Sequence, residues 1–163
     1  MHGQQAREFA AAAGRLEGQV EVGEIFATLE ELARVGLHCE HVGLLLCRDD
    51  RLTEVGATDP AVEQADRWQL DTGEGPCCAC LETPGACVVA DTTTEDRWPG
   101  WSTRVARFGF RASAAIPLRE GEVTLGVLTL YSDRPATFDA AAQPCADLLA
   151  AHATRALARS GLN

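Results

Sequence analysis

Apolar positions along the chain follow two rhythms, one of a helix and one of a strand. Val22, Ile25, Phe26, Leu29, Leu32 and Ala33 recur every three or four residues, which places them on one helical face, and Gly36 is positioned to close that helix. Residues 5–20 are alanine-rich, with Phe9, Ala10, Ala13, Leu16 and Val20 at similar spacing, although Gly14 and Gly18 weaken the helix they predict. His41 to Cys47 is a nearly unbroken apolar run of strand length. Asp49-Asp50 then turns the chain, and Leu52 to Ala57 supplies a partner strand.

Asp59-Pro60 opens the next helix, with Asp59 as cap and Pro60 in the first turn, and the pattern ends it near Gln69. Gly73 to Pro76 predicts a tight loop. A short helix follows from Cys77 to Leu81, broken by Thr83-Pro84-Gly85. Ala86 to Ala90 reads as a strand. Trp98, Trp101, Val105 and Phe108 return to helical spacing, ending at Gly109. Phe110, Ala112, Ala114, Ile116 and Leu118 alternate as in a half-buried strand, and Glu120-Gly121-Glu122 turns into a second strand, Val123 to Tyr131. A last helix is expected from near Asp139, with Pro144 disturbing its early turns and Ala142, Cys145, Ala146, Leu149, Ala153 and Ala156 on its apolar face. Strands joined by short turns make hairpins, so the expected fold class is α+β with a largely antiparallel sheet. Its centre should hold His41–Cys47, Ala112–Leu118 and Val123–Tyr131, the most apolar strands.

Composition narrows the function classes. The 163 residues fit one domain with a core of its own. A formal net charge of −10 repels phosphate backbones and anionic lipid, so direct binding of RNA, DNA or a membrane surface is not expected. No apolar run is long enough to span a bilayer, and the N-terminus does not read as a secretory signal, so a cytoplasmic location is expected. Seven cysteines, an odd number, suit reduced thiols better than a disulfide framework.

One ordered set of motifs goes further. Gly73-Glu74-Gly75-Pro76-Cys77 is followed by an apolar run ending in Asp91. Arg97-Trp98-Pro99, then Ser113 to Leu118, then Gly126-Val127-Leu128-Thr129-Leu130-Tyr131 complete it. This order resembles a GAF domain, most of all the GAF half of actinobacterial regulators that also carry an RNA-binding ANTAR domain. The resemblance covers roughly residues 21–159, leaving residues 1–20 as a helical extension and 160–163 as a tail. It implies a PAS-related sheet with terminal helices on one face and a ligand pocket on the other, roofed by the middle helices and loops. It also implies a sensory domain that answers to a small molecule or to redox state, serving as input to a transcription antitermination regulator. A homodimer through the terminal helices is expected as well, because the alanine-rich segment is hard to explain in a compact monomer.

Two alternatives stand beside that reading. One is a pure dimerisation module. The other is a thiol enzyme or sensor related to free methionine-R-sulfoxide reductases, which are GAF proteins with a similar glycine-cysteine loop. Their attacking cysteine falls where this chain has Phe110-Arg111-Ala112-Ser113-Ala114, so catalysis is not expected.

The candidate chemistry follows. Cys77, Cys78, Cys80 and Cys87 are the redox-reactive candidates, Cys77 or Cys78 first because they begin a helix whose positive end favours a thiolate, while Glu74 opposes it. Their spacing lacks the paired pattern of a zinc or iron–sulfur site, and no histidine directly follows Cys39 or Cys77 as bilin attachment would want. No metal, iron–sulfur cluster or tetrapyrrole is therefore expected. His38 and His41 should face opposite sides of an extended segment, and His152 reads as structural. Trp68, Gln69, Glu74, Cys77, Asp91, Arg97, Trp98 and Ser113 are the candidate ligand-binding residues, with Asp66 and Trp101 nearby. Bland roles compete with these: Glu74 solvated, Asp91 capping a turn, Arg97 paired with a carboxylate. Asp66-Arg67-Trp68-Gln69 matches an Asp-x-x-Gln pattern that precedes the loop in the resembling proteins.

Overall fold

The computed structural model describes residues 2–161; Met1 and the last two residues of the 160–163 tail lie outside the described residues. The order of elements is α1 (Gly3–Leu16), α2 (Val22–Leu37), β1 (His41–Arg48), β2 (Arg51–Ala57), α3 (Pro60–Thr72), α4 (Pro76–Ala79), a 3-10 turn (Cys80–Glu82), β3 (Cys87–Val89), α5 (Pro99–Arg107), β4 (Ala112–Glu120), β5 (Val123–Ser132) and α6 (Gln143–Ser160). The five strands form one sheet in the order β2-β1-β5-β4-β3, antiparallel at every pairing. The three most apolar strands sit at its centre, as their composition predicts.

Both faces of the sheet are covered, and the period of two decides which residue meets which layer. Val42, Leu44, Leu46, Ala112, Ala114, Ile116, Leu128 and Leu130 pack in the main core with α1, α2 and α6. Their odd-numbered neighbours Leu45, Ala115, Val127 and Tyr131 belong to two smaller clusters under α3, α4 and α5. This double cover corrects the expectation for β4. Alternation of apolar and small residues suggested a half-buried strand, yet Ala112 to Ile116 are all buried, because Ser113 and Ala115 are small enough to lie under the roof. Pro117 is tolerated because β3 pairs only with Ser113–Ala115, so from Ile116 onward β4 is an edge on that side.

Several boundaries differ from the sequence expectation for local reasons. Helix α2 runs through Gly36 and stops at His38, whose left-handed backbone lets Cys39 N–H reach back to the Ala33 carbonyl. Gly36 serves packing instead: a Cβ there would lie 2.4 Å from Cys145 Sγ and 3.0 Å from the Phe9 ring, so α1 and α6 both approach α2 at this point. Helix α3 continues past Gln69 to Thr72, where Gly73 takes the left-handed position. Helix α6 begins at Gln143, later than expected, because Asp139 instead closes a turn through its carboxylate and the Ala142 N–H. Pro144 therefore falls in the first turn, where its missing donor costs nothing. The first helix packs chiefly on α2, and meets α6 through Phe9 beside His152 and through Arg159 donating to the Leu16 carbonyl.

Candidate functional site

The odd face of the sheet carries polar residues at its middle: Ser113, Thr129 and Tyr131, all buried. Above them, Asp66 and Gln69 stand three residues apart on α3, hence on one side of that helix, and both are fully buried. Tyr131 OH donates to Asp66 Oδ1 at 2.5 Å, and Thr129 Oγ1 donates to Asp66 Oδ2 at 2.7 Å. Gln69 Nε2 donates to Tyr131 OH at 3.1 Å, while Gln69 Oε1 accepts the Cys77 N–H at 2.8 Å. Four residues from two elements thus form one satisfied network, and its last bond pins the start of α4.

That bond gives the Gly73-Glu74-Gly75-Pro76-Cys77 segment its physical meaning. Gly73 ends α3 with φ of 73°, and Pro76 starts α4. Gly75 has φ of 130°, and a Cβ on it would lie 2.3 Å from Gln69 Oε1. Only glycine allows that backbone and that approach together. The Asp-x-x-Gln pattern and the glycine loop are therefore two halves of one contact.

Burial dominates the electrostatics of the network. It pushes the Asp66 carboxyl up to about 7, against the lowering effect of the Tyr131 and Thr129 hydrogen bonds. It also raises the Tyr131 phenol well above its usual range, and the Asp66 carboxylate beside it adds to that. No arginine or histidine lies within salt-bridge distance of Asp66 among the described residues, and the chain contains no lysine.

Helix α5 closes the far side. Trp101 is fully buried among Val62, Ala65, Val89, Val105, Phe110 and Tyr131. Phe110 stacks on Tyr131 with ring centroids 4.9 Å apart, and Trp98 meets Trp101 edge-on at 6.2 Å. Trp101 Nε1 and Ser102 Oγ are buried with no hydrogen-bond partner. Trp68 lies half-buried at the rim, its ring over Gly100, with the Arg104 guanidinium 5.7 Å from its centroid.

Of the residues singled out from the sequence, Gln69 and Cys77 meet directly, and Ser113 shares their face opposite Tyr131 in the β4–β5 register. Trp68 and Trp98 flank Trp101 in the aromatic cluster. The others are elsewhere. Glu74 is exposed. Asp91 accepts two bonds from Arg111, at 3.0 and 3.2 Å, and two from Thr93, through its hydroxyl at 2.7 Å and its N–H at 3.0 Å, which hold its carboxyl below the usual range. Arg97 pairs with Glu95 at 2.7 Å, donates to the Val88 carbonyl and stacks over Trp98. Tyr131 and Thr129 stand in the sequence reading only as part of the motif from Gly126 to Tyr131, and neither they nor Ser102 are among its candidate ligand-binding residues. Their signal was present as polar groups inside the most apolar strand and on the inner side of a helix.

The cysteines are free, and burial raises the thiols of Cys39, Cys47, Cys77, Cys78, Cys80, Cys87 and Cys145. Cys80 is pushed up to about 12. Cys77, a leading candidate for reactivity, has no exposed surface, and the nearby Asp66 carboxylate adds to the effect of burial. Its helix has four residues, too short for a dipole to offset this. Cys78 is half-buried and opens onto a surface groove of about 630 Å³, lined also by Leu52, Glu54, Arg67, Leu70 and Leu81. Among the described residues, no three His, Cys, Asp or Glu side chains are grouped to hold a metal ion. His38 is exposed, whereas His41 bonds to Asp59 through Nδ1 at 2.8 Å, and His152 accepts from Arg155.

An antiparallel five-stranded sheet between a layer of terminal helices and a roof of middle helices, with polar groups held under that roof, defines a class of small α+β modules found across signalling proteins. Solved structures of this class resemble the chain over nearly its whole length. The GAF domain of an Acinetobacter phosphoenolpyruvate-protein phosphotransferase is 12% identical with a TM-score of 0.72, covering 98% of this chain and 96% of that one. Free methionine-R-sulfoxide reductase from Neisseria meningitidis is 18% identical with a TM-score of 0.72, covering 98% and 93%. The N-acylhomoserine lactone-dependent LuxR-family transcription factor CepR2 of Burkholderia cenocepacia is 17% identical with a TM-score of 0.72, covering 97% and 96%. At these identities the likeness shows the fold alone. The family model for a GAF domain matches residues 21–158, and the chain belongs to that family of sensory, ligand-binding modules. No curated protein matches it. No helix among the described residues is long and apolar enough to cross a membrane.

Proposed function

We propose that this chain is the sensory module of a regulatory protein, taking a small molecule between its sheet and the roof formed by α3, α4 and α5. The observation that carries this reading is the pair of unmet polar groups on α5, Trp101 Nε1 and Ser102 Oγ. Buried polar groups are nearly always bonded, so two neighbours left unpaired beside an aromatic wall are what a ligand with hydrogen-bonding groups would complete. Entry requires the roof to move. The same roof is fastened to β5 and to the Gly75 loop through Asp66 and Gln69, so an occupant that shifts α3 also shifts the sheet on which α2 and α6 pack. The resemblance of the motifs to the GAF half of regulators that carry an RNA-binding ANTAR domain favours an output in transcription antitermination. The reductase alternative is disfavoured, because Phe110-Arg111-Ala112-Ser113-Ala114 holds no cysteine where the resemblance would put the attacking one.

Thermal unfolding in the presence of a panel of nucleotides, amino acids and their derivatives tests this. A true occupant at about a hundred times its Kd should stabilise the protein by about 2.7 kcal/mol, a shift of several degrees. The shift should shrink in Trp101→Phe, which keeps an aromatic ring and removes the N–H. No shift from any compound, or an equal shift in that variant, would count against the roofed site.

A further inference from the structure

We infer that Asp66 is a proton-operated latch, neutral when α3 is fastened to the sheet and ionised when that fastening loosens. The inference does not rest on the identity of any small-molecule ligand. Its basis is the surroundings of the carboxyl. Asp66 is fully buried, and its partners are two neutral hydroxyls from β5, Tyr131 and Thr129. Every other charge facing it makes a negative state worse or is turned away. Glu54 on β2 is largely buried and repels it. On α3 itself, Arg67 points to solvent, where it pairs with Glu63 at 2.8 Å and approaches Glu54 at 3.7 Å. From α4 comes only the neutral thiol of Cys77. From α5 come the neutral Trp101 and Ser102, while Arg104 lies over Trp68 at the rim. On β1, Gly43 presents no side chain beside Asp66 Oδ2, and His41 is engaged by Asp59. A carboxylate so placed has no counter-charge within reach and no surface open to bulk solvent, so a proton is what relieves it.

The proton balance is simple. A proton from solvent adds to one carboxyl oxygen, and Thr129 Oγ1 changes from donor to acceptor, so every hydrogen bond survives. Loss of the proton to solvent leaves a buried anion that is best relieved by admitting water between α3 and the sheet. The folded carboxyl binds its proton more tightly than the unfolded one. Its contribution to stability is therefore complete below the ordinary carboxylate range and is lost as pH rises towards about 7. Because Gln69 links Tyr131 to the Cys77 amide, the Gly75 loop should loosen together with α3.

The experiment is a carbon-detected NMR titration of aspartate carboxyls in the intact protein, assigned with Asp66→Asn, together with amide exchange at about pH 6 and about pH 8. Asp66 should titrate near neutrality. Exchange in α3 and at Cys77, corrected for the intrinsic base-catalysed rate, should rise several-fold at the higher pH. Asp66→Asn keeps the neutral form and should remove that rise. Tyr131→Phe removes a donor to the anion and should move the midpoint further up, which keeps the test decisive if the asparagine variant folds poorly. A midpoint in the ordinary range of about 4, or the same exchange increase in wild type and Asp66→Asn, overturns the latch.

Discussion

Gln69 bridges two buried groups, the Tyr131 hydroxyl, which it shares with Asp66, on one side and the Cys77 amide on the other. Gln69→Leu fills nearly the same space but leaves that amide unmet, and should lower stability to urea unfolding by about 2–3 kcal/mol. Gly75→Ala should cost a similar amount by a different route, because a methyl group there meets Gln69 Oε1 at 2.3 Å and the backbone, with φ of 130°, resists any side chain. Glu74 is the control between them: exposed and without a bond from its carboxylate, its change to Gln should move stability by less than about 0.5 kcal/mol. The glycine loop and Gln69 were legible in the sequence because both belong to a local pattern. Tyr131 was not, because its partner Asp66 lies sixty-five residues away and only the register of β5 against β4 and β1 brings the two together.

At the level of elements, periodicity marks the longer helices and strands, which carry a face long enough to show their rhythm, while α4 and β3, with four and three residues, are marked by the glycine and proline breaks around them. Their ends were harder to read, because a helix stops where a backbone or side-chain bond stops it. His38 ends α2 in a left-handed conformation that sequence statistics assign to glycine, and Asp139 caps a turn ahead of α6 rather than the helix itself. Gly36 shows the other side of that difficulty. Read as a helix stop, it is a close-packing point where three helices meet. Gly36→Ala should raise intrinsic helix propensity by about 1 kcal/mol yet destabilise the protein, because overpacking of the kind forced here by Cys145 and Phe9 costs about 1–3 kcal/mol. Cys145→Ala vacates the tighter contact, so the double variant should recover part of the loss. Unfolding of the two single variants and the double variant, compared as a cycle, checks this. The candidate site was only partly legible for a related reason. Asp91 and Arg97 look like lining residues in a linear reading, but Arg111 and Glu95 claim them once the chain is folded.

For the molecule as a whole, the terminal helices form one layer and the roofed site forms the other, with the sheet between them. Association of two copies through the helical layer is the arrangement we propose for output. Leu148, 47% exposed on α6, offers an apolar contact on that layer. Light scattering over rising protein concentration should show a dimer, and Leu148→Glu should shift the equilibrium towards monomer by about tenfold or more; a monomer at all concentrations would rule the contact out. All three tryptophans, Trp68, Trp98 and Trp101, lie in the cluster under the roof, and the helical layer has none. The protein is thus optically labelled on one side only. Its intrinsic emission reports the roofed face, and disturbances confined to α1 or α6 stay dark. A change in tryptophan emission on altering Leu148 would therefore be a direct optical reading of communication across the sheet, obtained without attaching any dye.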